Sequence, residues 1–259
     1  MKLLTWNVAG RVKLLDRQAA AVERLEPDLV CLQEIRASTL PRWRDAFERM
    51  GLPQVADSSA FMGTRRYFVV TASRWELTEL PAIPGPYPER VLSVVAETDL
   101  GQIELHNAHI PPAPNHGLIK IETLEAMHER LARPCARHRI ACGDFNVPRL
   151  ETTEGEVITF ADRHPEWLER WDAAERSLFE LGRWDLGDVF RELHGYERRD
   201  VSWVLHTRNR RKAGLRLDHV LASRGLGAIQ CDYHHEWREA GLSDHSAMEA
   251  VFLPNGGGS

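Results

Sequence analysis

Short apolar runs alternate with helical periodicity along most of the chain. The runs at 29–32 and 140–142 are bounded by turn residues and predict buried strands. Leu118, Ile121 and Leu124 recur at a spacing typical of a helix that packs on a sheet. Strands and helices mixed in this way, without a repeat or a linker between them, favour a single α/β or α+β layered domain.

Turn residues divide the chain into predicted elements. Pro27 ends the first predicted helix, and Gly51 suits the C-terminal cap of the second. Between 151 and 192 the pattern is helical and acidic, which predicts helices on the outside of a sheet. The predicted strands cover 3–8, 28–34, 67–71, 90–96, 103–110, 139–142, 202–205, 215–222, 229–234 and 247–253, and the other predicted helices cover 14–25, 41–50 and 118–131.

Polar side chains stand at the ends of six predicted strands. Each has an ordinary structural explanation when taken alone, because Asp and Asn form turns, a glutamate can cap or pair at a strand end, and a histidine can be hydrogen-bonded in a core. Strand order does not follow from the sequence, so their convergence is an inference from repetition. The residues are Asn7, Glu34, His109, Asp144 with Asn146, Asp218, and Asp244 with His245.

Oxygen donors dominate this set of residues. Glu34, Asp144 and Asp244 offer carboxylates and Asn7 a neutral oxygen, which suits Mg²⁺ or Mn²⁺. The four cysteines are widely spaced and form no C-x-x-C pair, which disfavours zinc. A histidine held by a carboxylate can activate water or neutralise a phosphate. Metal, histidine and carboxylates together predict hydrolysis of a phosphate ester.

Composition restricts the class of protein. The 259 residues are 43% hydrophobic and 27% charged, as in an ordinary soluble globular protein, and the net charge of -5 argues against a generally basic nucleic-acid coat protein. No stretch resembles a signal peptide or a membrane span, so a cytoplasmic protein without membrane insertion is expected. We expect a monomer with one domain over 1–254 and a flexible tail at 255–259.

Five motifs identify a family resemblance because they occur together and in order. They are Thr-Trp-Asn-Val at 5–8, Leu-Gln-Glu at 32–34, Gly-Asp-Phe-Asn at 143–146, Leu-Arg-Leu-Asp at 215–218 and Ser-Asp-His at 243–245. With them the sequence resembles the endonuclease/exonuclease/phosphatase superfamily, which has the DNase I-like fold. The resemblance implies a four-layered αββα sandwich whose two sheets pack face to face, with the site at one edge.

The resemblance also implies which residues hold the metal. Glu34 would be the principal ligand of Mg²⁺ or Mn²⁺, and Asn7 would lie beside it. Asp244 would help to hold either the metal or His245. The metal site implied by the resemblance is therefore rich in oxygen.

The remaining motif residues would act on water and phosphate. By the same resemblance, Asp144 and Asn146 would contact the attacking water, the leaving group or the phosphate. His245, oriented by Asp218, would be the base or the phosphate-binding imidazole. The roles of base and acid are assigned jointly, because strongly interacting groups titrate together.

Within the superfamily the sequence is most similar to bacterial exonuclease III-type apurinic endonucleases. The likeness rests on 214–218 and on Ser202-Trp203. That branch has a tyrosine before x-Pro at a strand end, whereas this chain has His109. A histidine there resembles DNase I and other phosphodiesterase branches, and it can donate a proton or a hydrogen bond to phosphate. Specificity for abasic sites therefore does not follow from the resemblance.

A basic run near Trp203 bears on the substrate. It favours a nuclease that acts on DNA, with RNA as a second possibility, although a solvated surface loop has the same composition. A small phosphoester, such as a nucleotide or a lipid head group, is the alternative substrate on the same fold. A binding module without activity is disfavoured because the carboxylates and histidines are present. The run comprises Arg208, Arg210, Arg211 and Lys212.

Overall fold

Two six-stranded β-sheets form the centre of the molecule. The computed structural model describes residues 1–163, 165–207 and 210–253, but not the side chains of 113–117, 163, 206–207 and 210–212. The tail predicted at 255–259 lies outside these residues. The strands are β1 (Lys2–Asn7), β2 (Leu29–Ile35), β3 (Gln54–Asp57), β4 (Phe68–Ser73), β5 (Leu77–Glu79), β6 (Val91–Thr98), β7 (Gly101–His109), β8 (His138–Asp144), β9 (Leu150–Glu151), β10 (Val157–Ile158), β11 (Leu186–Asp188), β12 (Trp203–Thr207), β13 (Arg210–Leu215), β14 (Asp218–Ser223), β15 (Ala228–His234) and β16 (Ala247–Phe252).

Helices cover the outer faces of these sheets. The α-helices in the described part of the chain are α1 (Leu15–Glu23), α2 (Leu40–Arg49), α3 (Ala113–Leu131), α4 (Leu168–Ser177), α5 (Val189–His194) and α6 (His235–Glu239). Gly51 follows α2 with a φ of 74°, the left-handed conformation that glycine adopts without strain after a helix. No helix among the described residues combines the length and the apolar composition that a membrane crossing requires.

Both sheets mix parallel and antiparallel strands. The first has the order β15-β16-β1-β2-β4-β3 and the second the order β11-β14-β8-β7-β6-β5. The parallel pairs are β1 with β2 and β7 with β8, and each pair is joined through a helix, as parallel neighbours require. Parallel strands end at the same edge of a sheet. The polar residues at the carboxyl ends of β1 and β2 therefore lie at one edge of the first sheet, and those of β7 and β8 lie at one edge of the second.

Three apolar clusters define four layers. Side chains such as Leu3 and Cys31 of the first sheet pack against Val94 and Leu105 of the second, and this cluster fills the space between the sheets. A second cluster joins the first sheet to α1 and α2, and a third joins the second sheet to α3 and α4. The predicted αββα sandwich is confirmed, because each sheet buries both of its faces.

A β-bulge in β2 gives Glu34 its position. The ladder between β2 and β4 shifts register after Leu32, and Glu34 has a φ of 59°. A left-handed conformation of this kind costs a non-glycine residue about 1 to 3 kcal/mol, so the surroundings must hold it. Asn107 of the second sheet donates from Nδ2 to the carbonyls of Leu32 (3.3 Å) and Val70 (2.8 Å). Gln33 in turn donates from Nε2 to Asn107 Oδ1 (2.8 Å), so two buried amides join the sheets beside Glu34.

Two parts of the predicted secondary structure are wrong. The segment 151–192 contains β10 and β11 besides helices, and β11 pairs with β14 at the edge of the second sheet. The single strand predicted over 215–222 is two strands, because β13 ends at Leu215 and β14 begins at Asp218. β13 pairs with β12, whereas β14 pairs with β8 and β11, and the buried Arg216 between them pairs with Glu151 and Asp188.

Candidate active site

The polar strand ends meet in a cleft between corresponding edges of the two sheets. Neighbouring strands lie about 4.8 Å apart, so residues distant in sequence become neighbours at such an edge. The structure thus brings together residues that the sequence could place only at separate strand ends. The row on the first sheet is His245 before β16, Asn7 at the end of β1 and Glu34 near the end of β2, and the facing row is Asp218 on β14, Asp144 on β8 and His109 on β7.

Asn7 links two carboxylates in the middle of the cleft. Its Nδ2 donates to Glu34 Oε1 (3.2 Å) and to Asp144 Oδ2 (2.9 Å), while its Oδ1 accepts from the backbone N–H of Ala9 (2.9 Å). The Ala9 contact fixes which end of the amide faces the cleft. In this arrangement Asn7 meets the carboxylates as a hydrogen-bond donor, and its oxygen is turned toward the following turn.

Asp218, His245 and Asp144 form a chain of polar contacts on one side of Asn7. Asp218 Oδ2 lies 2.8 Å from His245 Nδ1, and His245 Nε2 lies 3.8 Å from Asp144 Oδ2. All three side chains are buried, and their ligand atoms lie within 4.8 Å of one another. Among the described residues, Asp218 Oδ1 has no hydrogen-bond partner, although it is buried. A carboxylate oxygen left in that state is a position where a cation or a ligand donor would bind favourably.

Burial and neighbouring charges shift the pKa values of this group. Burial is the largest cause raising the pKa of Asp144 to about 7, and Asp218 and Glu34 add to it while His245 opposes it. Burial lowers the pKa of His245, but the carboxylates of Asp218 and Asp144 outweigh it and raise that pKa to about 10. At neutral pH the His245 imidazolium therefore lies between two carboxyl groups, one of which exchanges its proton near pH 7.

Arg90 is a cation that the sequence did not reveal as part of the cleft. It precedes β6, next to β7, and its side chain is only 13% exposed. Arg90 Nη1 contacts Nδ1 of His109, whose Nε2 lies 3.6 Å from Glu34 Oε1 and 3.7 Å from Asp144 Oδ2. Arg90 Nη1 also lies 3.2 Å from Nε2, so the guanidinium contacts both ring nitrogens of His109. His109 Nε2 therefore lies between the Arg90 guanidinium and the carboxylates of Glu34 and Asp144.

Asn146 occupies a strained corner just after β8. Its φ is 52°, its backbone N–H donates to Asp144 Oδ1 (3.0 Å), and its Nδ2 donates to the carbonyl of Ile110 (2.8 Å). Lys120 of α3 is fully buried beneath it and donates from Nζ to the Asn146 carbonyl (3.0 Å). Glu175 pairs with the same ammonium group at 2.5 Å, so a buried ion pair supports the corner. The sequence shows Lys120 only as one polar residue of an amphipathic helix.

The other predicted site residues are placed less centrally. Asp244 is exposed and adds its negative charge to the surroundings of His245. Trp203 is half-buried on β12 and forms a backbone bridge with His245, so the β12–β13 hairpin starts beside the cleft. The strand β13 includes the backbones of Arg210, Arg211 and Lys212. The structure does not describe their side chains or any part of Arg208.

The donor set fits a hard divalent cation. Glu34 and Asp144 present carboxylates on either side of the Asn7 amide, and the unpartnered Oδ1 of Asp218 adds a third buried oxygen position. Carboxylate oxygens are the ligands that Mg²⁺ and Mn²⁺ prefer, and the cleft contains no thiolate among its described residues. Glu34 and Asp144 are the residues that would hold such an ion.

A buried ion-pair network fixes the chain just before Asp218. Arg216 donates from Nε and Nη2 to the two carboxylate oxygens of Glu151 (2.8 and 2.7 Å) and pairs with Asp188 at 2.6 Å. Arg191 pairs with the same Glu151 at 2.6 Å. Burial raises the pKa of Glu151, but its bonds to Arg216 and Arg191 outweigh burial and lower it to about 2. The network therefore ties β9 and α5 to the start of β14.

Replacement of Glu151 tests this network. Glu151→Gln leaves the buried Arg191 with no carboxylate partner and Arg216 with Asp188 alone, and we expect it to lower the free energy of unfolding by about 2 to 4 kcal/mol at pH 7. Because the folded pKa is depressed, the carboxylate stabilises the fold above about pH 4.5 and loses that effect as the pH falls toward 2. Urea unfolding at pH 7 and pH 3 should therefore show a smaller difference at pH 3. Glu156→Gln, at an exposed position of the same hairpin, is the control, and an equal effect of both variants would contradict the prediction.

Comparison with known proteins places this geometry among phosphoester hydrolases. Residues 4–245 match the model of the Endonuclease/Exonuclease/phosphatase family. An AP endonuclease from Archaeoglobus fulgidus is similar in structure with a TM-score of 0.73 at 22% identity, covering 97% of this chain and 99% of that one. A search of the curated proteins found no match for the sequence.

Two further solved structures share the fold. The 3' phosphatase NExo from Neisseria, bound to a product DNA hairpin, has a TM-score of 0.68 at 21% identity and covers 98% of this chain and 99% of that one. Humanized TDP2 from D. rerio has a TM-score of 0.68 at 16% identity, with 98% of each chain covered. At these identities the structural likeness establishes a DNase I-like fold.

Proposed function

Because the chain belongs to the Endonuclease/Exonuclease/phosphatase family, we propose that it is a Mg²⁺- or Mn²⁺-dependent nuclease that hydrolyses phosphodiester bonds of DNA. Phosphoester hydrolysis with a divalent metal is the common chemistry of that family. The finer assignment rests on the composition of the cleft and on the basic run that follows Trp203 in the sequence. One of the structurally similar proteins, NExo, is bound to a product DNA hairpin, and another is an AP endonuclease.

The observation that carries the proposal is the chain of contacts from Asp218 through His245 to Asp144. Asp218 holds Nδ1 of His245, which leaves Nε2 3.8 Å from Asp144 Oδ2. That separation is wider than a hydrogen bond and leaves a phosphoryl oxygen or a water within reach of both groups. The His245 imidazolium can neutralise a phosphoryl oxygen while the neighbouring Asp144 carboxylate accepts a proton from the attacking water.

The opposite side of the cleft supports the same reaction. His109 Nε2 faces the carboxylates of Glu34 and Asp144, and Arg90 adds a positive charge beside the imidazole ring. Both groups would hold phosphoryl oxygens, whose negative charge increases during attack on phosphorus. A divalent ion held by Glu34 and Asp144 supplies further neutralisation of that charge when it is bound. Asn146, fixed by Asp144 and Ile110, lines the corner where the leaving group would depart.

Metal removal tests the proposed function directly. We expect hydrolysis of bis-p-nitrophenyl phosphate and of a DNA duplex to stop in excess EDTA and to return with Mg²⁺ or Mn²⁺. Glu34→Gln should raise the metal concentration for half-maximal activity at least tenfold, because it removes a charged ligand while the neighbouring bulge is retained. Asp45→Gln, at an exposed position of α2, is the control.

The substrate is tested by the same assay with different esters. DNA duplex, abasic duplex, single-stranded DNA, RNA and bis-p-nitrophenyl phosphate are compared by kcat/KM. Undiminished activity without any metal would contradict the metal assignment. A kcat/KM for a small phosphoester or a lipid head group that exceeds every nucleic acid would replace DNA with the small-substrate alternative.

A further inference from the structure

Two arginines contact one tyrosine at the end of the cleft beyond Glu34. The Cζ atom of Arg36 lies 5.5 Å from the centre of the Tyr67 ring, and that of Arg66 lies 5.3 Å from it. Arg36 also donates from Nη2 to the Tyr67 hydroxyl at 3.4 Å. Guanidinium groups at these distances from an aromatic ring are favourable contacts that restrict the arginine side chains. We refer to Arg36, Arg66 and Tyr67 as the arginine–tyrosine platform.

The platform lies next to the candidate metal ligands. Ile35 pairs with Phe68 in the ladder between β2 and β4, so Arg36 stands opposite Tyr67 immediately beyond the strands. Glu34 is two residues before Arg36, and the strand spacing places the platform about 5 to 10 Å from the Glu34 strand end. On the facing sheet this end of the cleft carries Arg90. The cleft therefore changes from carboxylates near β14 and β16 to arginines near β4 and β6.

The positive charge of the platform is not neutralised within the described part of the chain. Neither Arg36 nor Arg66 forms an ion pair with a described residue, whereas the nearby Arg65 pairs with the buried Glu89 at 2.5 Å. Two guanidinium groups without a carboxylate partner among the described residues therefore lie beyond the Glu34 strand end, in a protein whose net charge is -5. Such a local excess attracts an anion, and guanidinium groups match the oxygen geometry of phosphate.

Gly10 fixes the inner edge of the platform. A Cβ atom at this position would lie 2.5 Å from Tyr67 Cε1 and 2.9 Å from Arg36 Nε, so only a glycine allows both side chains to pack against the turn after β1. The Nε of Arg36 is buried by this packing and has no hydrogen-bond partner in the described residues. The guanidinium is thus positioned before any ligand arrives, which reduces the entropy lost on binding.

We infer that the arginine–tyrosine platform binds a second phosphate group of the substrate, one that neighbours the phosphate being hydrolysed. The inference rests on the proposed function and makes it more specific. A nucleotide chain carries such a neighbouring phosphate, whereas a simple diester does not. The platform would therefore make the enzyme favour substrates with at least two phosphates in sequence.

Dinucleotides separate this inference from the proposed function. The probes are TpT, which has one phosphate, and pTpT and TpTp, which have a second one on opposite sides. We expect the second phosphate to raise kcat/KM of the wild-type enzyme at least tenfold in one of the two. Arg36→Gln combined with Arg66→Gln should remove most of that gain. The control is Arg24→Gln combined with Arg49→Gln, which removes the same two positive charges at the C-terminal ends of α1 and α2. This control should keep the increase in kcat/KM that the second phosphate gives.

Each outcome of this comparison has a definite meaning. If the wild-type enzyme cleaves TpT but gains nothing from a second phosphate on either side, the platform does not bind phosphate. The same follows if the gain survives in the Arg36 and Arg66 double variant. If none of the three dinucleotides, bis-p-nitrophenyl phosphate or DNA is cleaved, the proposed function fails, and binding then tests the platform separately.

Binding without catalysis is measured by the anisotropy of fluorescein-labelled dT10 in EDTA at several salt concentrations. Loss of one or two phosphate contacts should lower the slope of log K against log salt by about 0.7 to 1.4 in the Arg36 and Arg66 double variant. The Arg24 and Arg49 double variant should keep the wild-type slope. Equal slopes in both double variants would overturn the inference, and matching thermal unfolding midpoints would show that both remain folded.

Discussion

Asp144→Asn is expected to lower kcat for phosphodiester hydrolysis by about a thousandfold or more. Asparagine has nearly the same volume and can keep the contact with Asn7, but it cannot accept a proton and carries no charge for a cation. A carboxylate that accepts a proton contributes about 10² to 10⁴ in rate, and the lost negative charge beside the cation adds to this effect. The measurement is kcat with bis-p-nitrophenyl phosphate at saturating Mg²⁺.

The control for this prediction is Asp162→Asn. Asp162 pairs with Arg149 at the surface, and its side chain is 60% exposed, so the substitution removes one carboxylate without touching the cleft. It should leave kcat within a factor of two of the wild-type value. Thermal unfolding of Asp144→Asn should show a midpoint no lower than that of the wild type, because the buried negative charge is removed. A loss of less than tenfold in kcat would mean that Asp144 is not part of the chemistry.

Asp218→Asn and His245→Gln are expected to act as one unit. Each should lower kcat/KM by about 10² to 10⁴, and the double variant should lose little more than the worse single variant. The reason is that Asp218 holds Nδ1 of His245, so either change removes the same oriented imidazolium. The measurement is a double-mutant cycle on kcat/KM with circular dichroism of each variant.

Independent effects would contradict this view of the pair. If the losses of the two single variants multiply in the double variant, Asp218 acts directly on the substrate or the metal rather than through His245. The unpartnered Oδ1 of Asp218 gives that outcome a structural basis, because it is a second atom able to bind a cation. Metal titration of the single variants then distinguishes the two roles, since only a ligand changes the apparent metal affinity.

Much of the site was predictable because strand ends are visible in a sequence. Buried runs such as 140–142 are recognisable without any structure, and the polar residue that follows each run marks the sheet edge. The motifs around Asn7, Glu34 and Asp144 then indicate the family. The pairing of the strands could not be predicted from the sequence. The contact between Asn7 and Asp144, for example, joins two residues that lie far apart in the chain.

Arg90 and Lys120 were missed for a related reason. Arg90 follows a Pro-rich turn and has the local surroundings of an ordinary surface arginine, and only the pairing of β6 with β7 brings it to His109. Lys120 stands among other charged residues of α3, yet it is fully buried because Glu175 of α4 meets it there. A charged residue is expected at the surface unless its partner is known, and the partner in each case belongs to another element.

The errors in secondary structure also have a physical cause. Helical periodicity over 151–192 is genuine in α4, but β11 is a short edge strand whose pairing with β14 decides its conformation. Arg216 lies at the break between β13 and β14, and its two carboxylate partners come from β9 and from the end of β11. Local pattern cannot anticipate either contact.

The two buried amides, Gln33 and Asn107, have a consequence for the interpretation of mutational scans. Their hydrogen bonds join the two β-sheets, and each sheet carries one half of the cleft. A small shift of one sheet relative to the other therefore changes every distance between the two halves at once. Substitutions in the apolar core between the two sheets can therefore abolish activity while the protein remains folded and unfolds cooperatively. In a scan scored by activity alone, interior positions such as Asn107 would be mistaken for reacting groups, and a parallel scan of folding would be needed to separate alignment from chemistry.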